Sequence, residues 1–212
     1  DELINVYGDP ESVIVKHLSE PERVDEFTLD WINPIKQEKQ KIAEASKAKA
    51  IIADKEVVYS ELLRNQGKVL LVVNNPKLAI AKAGNEFFVE KVTPGIHPTA
   101  VIHPDAQIGR NVCIGANTTI GKCIIGDDVS IDSNVTFYDN VTVENKVVIH
   151  AGSVIGTDGL GCQRDVDGVL VKFPHLGGVI VNENVEIGAN CEIAKGALSN
   201  TIIGKGSKIN AG

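Results

Sequence analysis

The sequence predicts a mainly β protein, with a parallel β-helix over residues 95–212 preceded by a small α/β domain over residues 1–94. Two observations predict the helix. From Ile96 an aliphatic residue returns every six positions, at Ile102, Ile108, Ile114 and Ile120, and again from Ile125 through Ile131, Phe137, Val143, Ile149 and Ile155. That period fits neither an amphipathic helix nor an alternating strand, and it marks an internal repeat. Four positions after each aliphatic residue stands a small or branched one, among them Ala100, Val112, Thr118, Val129, Val147 and Ser153. Two inward columns per repeat describe one flat side of a prism, and three sides make a coil of about eighteen residues. Stacked coils bury continuous ladders while each strand pairs above and below. The residue after the aliphatic one is often glycine, as at Gly109, Gly115, Gly121 and Gly126, where a tight turn would make a Cβ clash.

A change of texture at Thr93-Pro94-Gly95 marks the start of the repeats. Before it, Leu3–Tyr7 and Val13–His17 read as two strands of a hairpin around Gly8-Asp9-Pro10. Asn33-Pro34 reads as a helix cap followed by proline at the first position, opening a helix to about Lys47. Ala50–Ala53 and Val69–Val73 are apolar runs of strand length, with a short helix at Ser60–Arg64 between them. Asn75-Pro76 repeats the cap signal before a helix at Lys77–Ala83. Alternating strands and helices indicate a small α/β domain. No glycine-rich fingerprint follows its strands, so a dinucleotide site of the Rossmann kind is unsupported. Trp31 beside Asn33 is the candidate for stacking a base.

The repeat has three faults. The step from Ile120 to Ile125 is one residue short, which should disturb the stacking of that coil. After Ile155 a polar, glycine-rich loop near residues 156–179 interrupts the repeat, which resumes at Val181, Ile187 and Ile193. The next step, to Ile203, is lengthened by Lys195–Thr201. Loops ejected from a solenoid leave the flanking coils stacked and commonly build the binding face.

Composition narrows the partners. With 43% hydrophobic and 23% charged residues, the chain has the balance of a soluble globular protein. A formal charge of -7 with no basic cluster disfavours nucleic acid. No apolar run reaches membrane-span length and the N-terminus has no signal-peptide pattern, so a cytoplasmic location is expected. Cys113, Cys123, Cys162 and Cys191 lie far apart, without zinc-site or disulfide-scaffold spacing, and read as small buried thiols.

The segments His97–Ile102, Gly156–Gly161, Val171–Gly178, Val185–Asn190, Gly196-Ala197-Leu198 and Thr201–Gly204 follow one another in an order and spacing that resemble the UDP-3-O-acylglucosamine N-acyltransferases. The resemblance covers residues 96–212, and extends more loosely to Ile32-Asn33-Pro34, Lys49–Ile52 and Leu71–Pro76. It implies a left-handed β-helix, the exception to the usual right-handed crossover, and a homotrimer. The implied activity is acyl transfer from a thioester, acyl-CoA or an acyl carrier protein, to the amine of a nucleotide-linked amino sugar in surface-glycan or lipid A biosynthesis, with no bound cofactor and no metal. Trp31, Asn33, Gly159, Gly161, Lys172, Gly177 and Lys195 are the candidate substrate-binding residues. The sequence departs from the pattern at the uracil-stacking aromatics, where Asp30 and Lys36 stand, and at an Asp-Arg pair, where Ala194-Lys195 stands. The family's catalytic histidine follows the segment matching Ile209-Asn210, and the sequence ends at Gly212.

Amide formation needs a neutral amine, a group that accepts its proton and donors for the oxyanion. Histidine suits the second role. His17 belongs to the first domain, and His97 and His103 precede prolines, where capping or solvation is expected. His150, following an inward Ile149 and so pointing outward at a corner, and His175, inside the inserted loop, are the two candidate bases. Asp158 between glycine-rich turns is the candidate to orient a base or accept a sugar hydroxyl, unless it bonds its own backbone. Outside acyl transfer, a zinc β-helix enzyme would need about three convergent histidines, and a non-catalytic nucleotide-sugar scaffold would need none.

Overall fold

The computed structural model describes residues 3–90 and 92–211, which fall into two compact units, Asp1–Lys91 and Val92–Gly212. In the first unit four strands, β1 (Leu3–Tyr7), β2 (Leu29–Trp31), β3 (Ala50–Ala53) and β4 (Val69–Val73), form a sheet of order β1-β4-β3-β2. Pairing is parallel except for β1, which runs antiparallel to β4. Helices α1 (Lys39–Ala45), α2 (Glu61–Asn65) and α3 (Pro76–Ala83) complete the fold. Because β3 lies between two neighbours, all four of its residues are buried, and Ile51, Leu63, Leu70 and Val72 share one core cluster.

Two local expectations are corrected. The hairpin does not form: Leu3–Tyr7 finds its partner in β4, Pro10–Ser12 is a single 3-10 turn, and His17 makes an isolated bridge to Thr28. The helix expected from Asn33 starts later, at Lys39. Asn33 spends its side chain on a local turn, its Oδ1 accepting the Ile35 N–H at 3.1 Å. The same signal at Asn75 does cap a helix, since its side chain accepts the Leu78 N–H. The far end of α1 is closed by buried Lys68, whose Nζ donates to the carbonyls of Ala43, Glu44 and Ser46 at 3.1, 2.9 and 2.6 Å. Those carbonyls have no partner inside the helix. Burial holds the Lys68 ammonium below its usual pKa.

The second unit is a prism of three parallel sheets with five, six and five strands. One ladder shows the stacking: Ile96 lies beside Ile114, and the row continues through Ile131, Ile149, Ile187 and Ile209. Ile114, Ile131, Ile149 and Ile187 are buried, with Phe137, Val143, Ile155 and Val181 in the same core. Two polar residues in the inward columns are fully buried and satisfied. Thr118 Oγ1 donates to the Asp132 carbonyl at 2.7 Å, and Ser153 Oγ to the Gly188 carbonyl at 2.8 Å.

Glycine after the inward residue answers to close stacking. A Cβ on Gly115 would lie 2.5 Å from Ser133 N, in the backbone of the next coil. The turn itself falls two residues later, where Asn111, Asn117, Asp128, Asn134, Asn140, Asn184 and Asn190 adopt positive φ. Asparagine and aspartate tolerate that conformation better than other residues with a Cβ. The short step before Ile125 leaves the stacking intact. Ile124 and Ile125 pair in register with Thr142 and Val143, and the Lys122 N–H donates to Asp139 Oδ1 at 2.7 Å across the shortened corner. Cys123 and Cys191 are buried, Cys113 is partly covered and Cys162 is exposed, so the reading of four buried thiols is corrected for the last. No described helix is long and apolar enough to cross a membrane.

Candidate functional site

The two longer faults of the repeat meet. Leaving the coil at strand Val154–Thr157, the chain forms an antiparallel hairpin of Cys162–Arg164 with Leu170–Lys172. Its tip is closed by Asp165, whose Oδ1 accepts the N–H groups of Asp167 and Val169, both at 2.9 Å. The returning chain packs on the second fault: Leu176 N–H donates to the Ala197 carbonyl at 2.6 Å, and Gly178 N–H to Asn200 Oδ1 at 2.8 Å. Gly177 is buried, and a Cβ there would lie 2.0 Å from the Ser199 carbonyl oxygen. The close approach that requires glycine at 177 is therefore backbone against backbone.

Asp158 stands at the junction. Its two carboxylate oxygens each hold a lysine: Oδ2 lies 2.8 Å from Lys172 Nζ in the hairpin, and Oδ1 lies 2.8 Å from Lys195 Nζ in the second fault. The Lys172 ammonium, followed by that of Lys195, holds the Asp158 carboxyl down at about 2. Lys195 is the more covered lysine, with 22% of its side chain exposed, and its N–H donates to the Thr157 carbonyl at 2.8 Å. Asp158 bonds two cations rather than its own backbone.

His175 lies three residues past Lys172. Its Nδ1 is 3.0 Å from the Phe173 carbonyl oxygen. A carbonyl only accepts, so Nδ1 carries the proton, and in the neutral ring the lone pair is on Nε2. That edge faces Gly159, where a Cβ would come 2.5 Å from Nε2. Gly161 is close by, its carbonyl accepting the Phe173 N–H at 2.7 Å. The structure thus brings together Asp158, Gly159, Gly161, Lys172, His175 and Lys195.

His150 belongs to a different cluster. Its Nδ1 is 3.0 Å from Asp132 Oδ2 and its Nε2 is 3.0 Å from Glu186 Oε1, while Glu186 Oε2 is 2.9 Å from Lys208 Nζ. The Glu186 carboxylate, with that of Asp132, raises the His150 pKa. With both nitrogens donating to carboxylates, no lone pair is left for a substrate. Sequence reasoning missed the three partners, although Asp132 lies eighteen positions before His150 and so occupies the same corner one coil earlier. Of the other histidines in this unit, His97 and His103 each accept at Nδ1 the N–H two residues on, from Thr99 and Asp105, in local turns.

In the first unit Trp31 and Asn33 line a cavity of ≈ 570 Å³ with Asp30, Ile32, Lys36 and Ser46. Trp31 is half-buried and paired with Ile52 through β2. Asp30 is fixed at this wall, its Oδ2 accepting from Ser46 Oγ at 2.6 Å. Among the described residues no group of three or more His, Cys, Asp or Glu is placed to hold a metal ion.

The ladder and its six-residue period define a parallel β-helix of hexapeptide repeats, as in the left-handed β-helix that the resemblance implies. The family described as bacterial transferase hexapeptide (six repeats) matches residues 94–122 and 122–157. Among particular relatives, the chain is similar to UDP-3-O-acylglucosamine N-acyltransferase from Coxiella burnetii (strain Dugway 5J108-111), with 50% identity over 66 residues, 31% of this chain and 19% of the relative. The enzyme of that name from Aromatoleum aromaticum is 51% identical over 61 residues, 29% of this chain and 18% of the relative. The matched stretch thus spans under a fifth of either relative. Among solved structures, an Arabidopsis UDP-N-acetylglucosamine acyltransferase aligns over 55% of this chain and 47% of its own, with 21% identity and a TM-score of 0.39.

Proposed function

We propose that this chain acts in an N-acyltransferase that moves an acyl group from a thioester, acyl-CoA or an acyl carrier protein, to the amine of a nucleotide-linked amino sugar. The convergence of the two repeat faults on Asp158, Lys172, Lys195 and His175 carries the reading. The similarity to UDP-3-O-acylglucosamine N-acyltransferases supports the choice of chemistry. In the reaction the amine nitrogen attacks the thioester carbonyl, the new C–N bond forms, and the C–S bond breaks with departure of the thiolate. His175 Nε2 takes the proton that the amine loses and returns it to the leaving sulfur. Lys172 and Lys195, both held by Asp158, bind the anionic part of the substrate beside Gly159 and Gly161. In the first unit the Trp31 and Asn33 cavity takes the base of a nucleotide. The assembly is a homotrimer, in which an ejected loop is closed against a neighbouring copy.

The test is to incubate the protein with acyl-CoA and a panel of UDP- and dTDP-amino sugars and follow free thiol. Release with one pair, lost in His175→Ala, supports the reading. Retained sugar binding with no release from any pair would favour a non-catalytic scaffold instead.

A further inference from the structure

We infer that Asp30 makes the cavity of the first unit select a ribonucleoside over a 2′-deoxyribonucleoside, by accepting the ribose 2′- and 3′-hydroxyls; the inference rests on the reading of that cavity as the nucleotide site. The cavity wall carries the Trp31 indole, the Asn33 amide, the ammonium groups of Lys36 and Lys47 and the Asp30 carboxylate. Glu22 is the other carboxylate there and is exposed, whereas Asp30 is partly covered and pinned. Its Oδ2 accepts from Ser46 Oγ at 2.6 Å and its Oδ1 from the Trp31 N–H at 2.8 Å. Ser46 is itself fixed, its carbonyl accepting from Lys68 Nζ at 2.6 Å and its Oγ accepting the Ala48 N–H at 3.2 Å. A hydroxyl has a single proton, and that of Ser46 is committed to Asp30.

The lone pairs decide what Asp30 takes. An ionised carboxylate offers about four acceptor positions. Ser46 and the Trp31 N–H occupy one on each oxygen, so each oxygen keeps one for a ligand. A nucleoside diphosphate presents three parts to this wall. Its phosphates are repelled by a carboxylate and belong with Lys36 and Lys47. A uracil or thymine ring has one N–H flanked on both sides by carbonyl oxygens, so a carboxylate laid along that edge meets acceptors as well as the donor. The ribose remains. Its 2′- and 3′-hydroxyls are adjacent donors that match the two open positions, the chemistry by which an acidic side chain holds a ribose elsewhere. Deoxyribose supplies only one of the two. Asp30 and Trp31 are consecutive in β2 and both line the cavity, which puts the acceptor for the sugar beside the ring that stacks the base. Held before the ligand arrives, the carboxylate loses little freedom on binding.

The experiment compares UDP with 2′-deoxy-UDP, which share base and phosphates, by calorimetry on the full chain. The wild type is expected to bind UDP roughly ten- to a hundredfold more tightly. In Asp30→Ala the ratio should fall to about one, because neither hydroxyl finds its charged acceptor. In Ser46→Ala it should be intermediate, because the carboxylate is present but no longer held. The ratio does not depend on how much of a variant is folded, since both ligands meet the same sample. Equal affinities in the wild type, or an unchanged ratio in Asp30→Ala, would overturn the inference. If that happens while Trp31→Ala still weakens UDP, the reading of the cavity as the nucleotide site stands without it. UDP binding that is absent, or untouched by Trp31→Ala, would remove that reading and the inference together.

Discussion

His150 Nε2 and Glu186 Oε1 lie 3.0 Å apart across the coil boundary from which the inserted loop departs. On the other side of the ring Nδ1 meets Asp132 Oδ2 at 3.0 Å, so one imidazole joins the coil before its own to the coil after the insertion. Both carboxylates are acceptors, which requires both ring nitrogens to be protonated. The His150 pKa is accordingly raised, by Glu186 and then Asp132, while that of Glu186 is lowered, by His150 and then Lys208. A raised histidine pKa contributes stability that is fully present below the unfolded value and is lost as pH rises through the folded one. The lowered Glu186 pKa acts at the other end, its contribution being lost as pH falls through it. Between those limits His150→Gln should lower stability by about 1 kcal/mol or less, since His150 is 38% exposed and solvent screens the pairs. Thermal unfolding of wild type and variant at about pH 6 and about pH 9 checks this, with the larger gap expected at the lower pH. Equal gaps at both would show that the ring is not charged.

Gly115 presses on Ser133, and this contact tests why glycine recurs in the repeat. A Cβ there would lie 2.5 Å from Ser133 N and 2.6 Å from the Asp132 carbonyl carbon, both backbone atoms of the adjoining coil. Gly115→Ala should therefore destabilise the protein by about 1–3 kcal/mol through overpacking. Gly206→Ala has no heavy atom within 4 Å of its Cβ but sits at φ +73, so its cost is conformational. Gly206→Asn should recover much of that loss, whereas Gly115→Asn should be worse than Gly115→Ala. Melting temperatures of the four variants decide it.

The prism was legible in the sequence because its period is imposed by packing: a position that must be aliphatic every six residues shows itself without any structure. The asparagine column at Asn111, Asn117 and Asn190, two residues after Gly109, Gly115 and Gly188, is equally legible as a row of left-handed turns. In the first unit, pairing defeated local reasoning. Leu3–Tyr7 lies beside Val69–Val73, far along the chain, and no short-range turn signal reports that. At the candidate site, the loop announced itself by breaking the repeat, but the meeting of Asp158 with Lys172 and Lys195 depends on how a hairpin folds back on the following coil. His150 was marked by its outward position, and only its partners one coil earlier and one coil later show that its nitrogens are occupied.

The four cysteines should separate by reactivity. Burial pushes the Cys123 thiol up to about 11, and its Sγ lies 3.0 Å from the Tyr138 carbonyl oxygen. Cys191 is likewise buried, with Sγ 3.0 Å from the Asn210 carbonyl oxygen. Thiol reagents attack through the thiolate and need access, so the exposed Cys162 on the hairpin should react first. With a chromogenic disulfide under native conditions, one fast equivalent is expected, followed by slow release that accelerates in denaturant. Cys162→Ser should abolish the fast phase, and its survival would mean that another thiol is open.

Trp31 gives the sharpest test of the first unit. It stands on the wall of a cavity whose other residues include Asp30, Asn33 and Lys36, and Ser46 holds Asp30 in place through a 2.6 Å hydrogen bond. An indole face with polar groups around it suits a planar heterocycle that also has hydrogen-bonding edges. Stacking of one base on an aromatic ring is worth about 1–3 kcal/mol by alanine substitution, so Trp31→Ala should weaken nucleotide-sugar binding roughly five- to hundredfold. Trp31→Phe should retain most of the affinity. The same tryptophan is the only one in the chain, which lets quenching of its fluorescence report binding in the wild type directly. Titration with UDP, dTDP and their amino sugars then ranks the bases. If calorimetry shows Trp31→Ala binding as tightly as wild type, the base lies elsewhere.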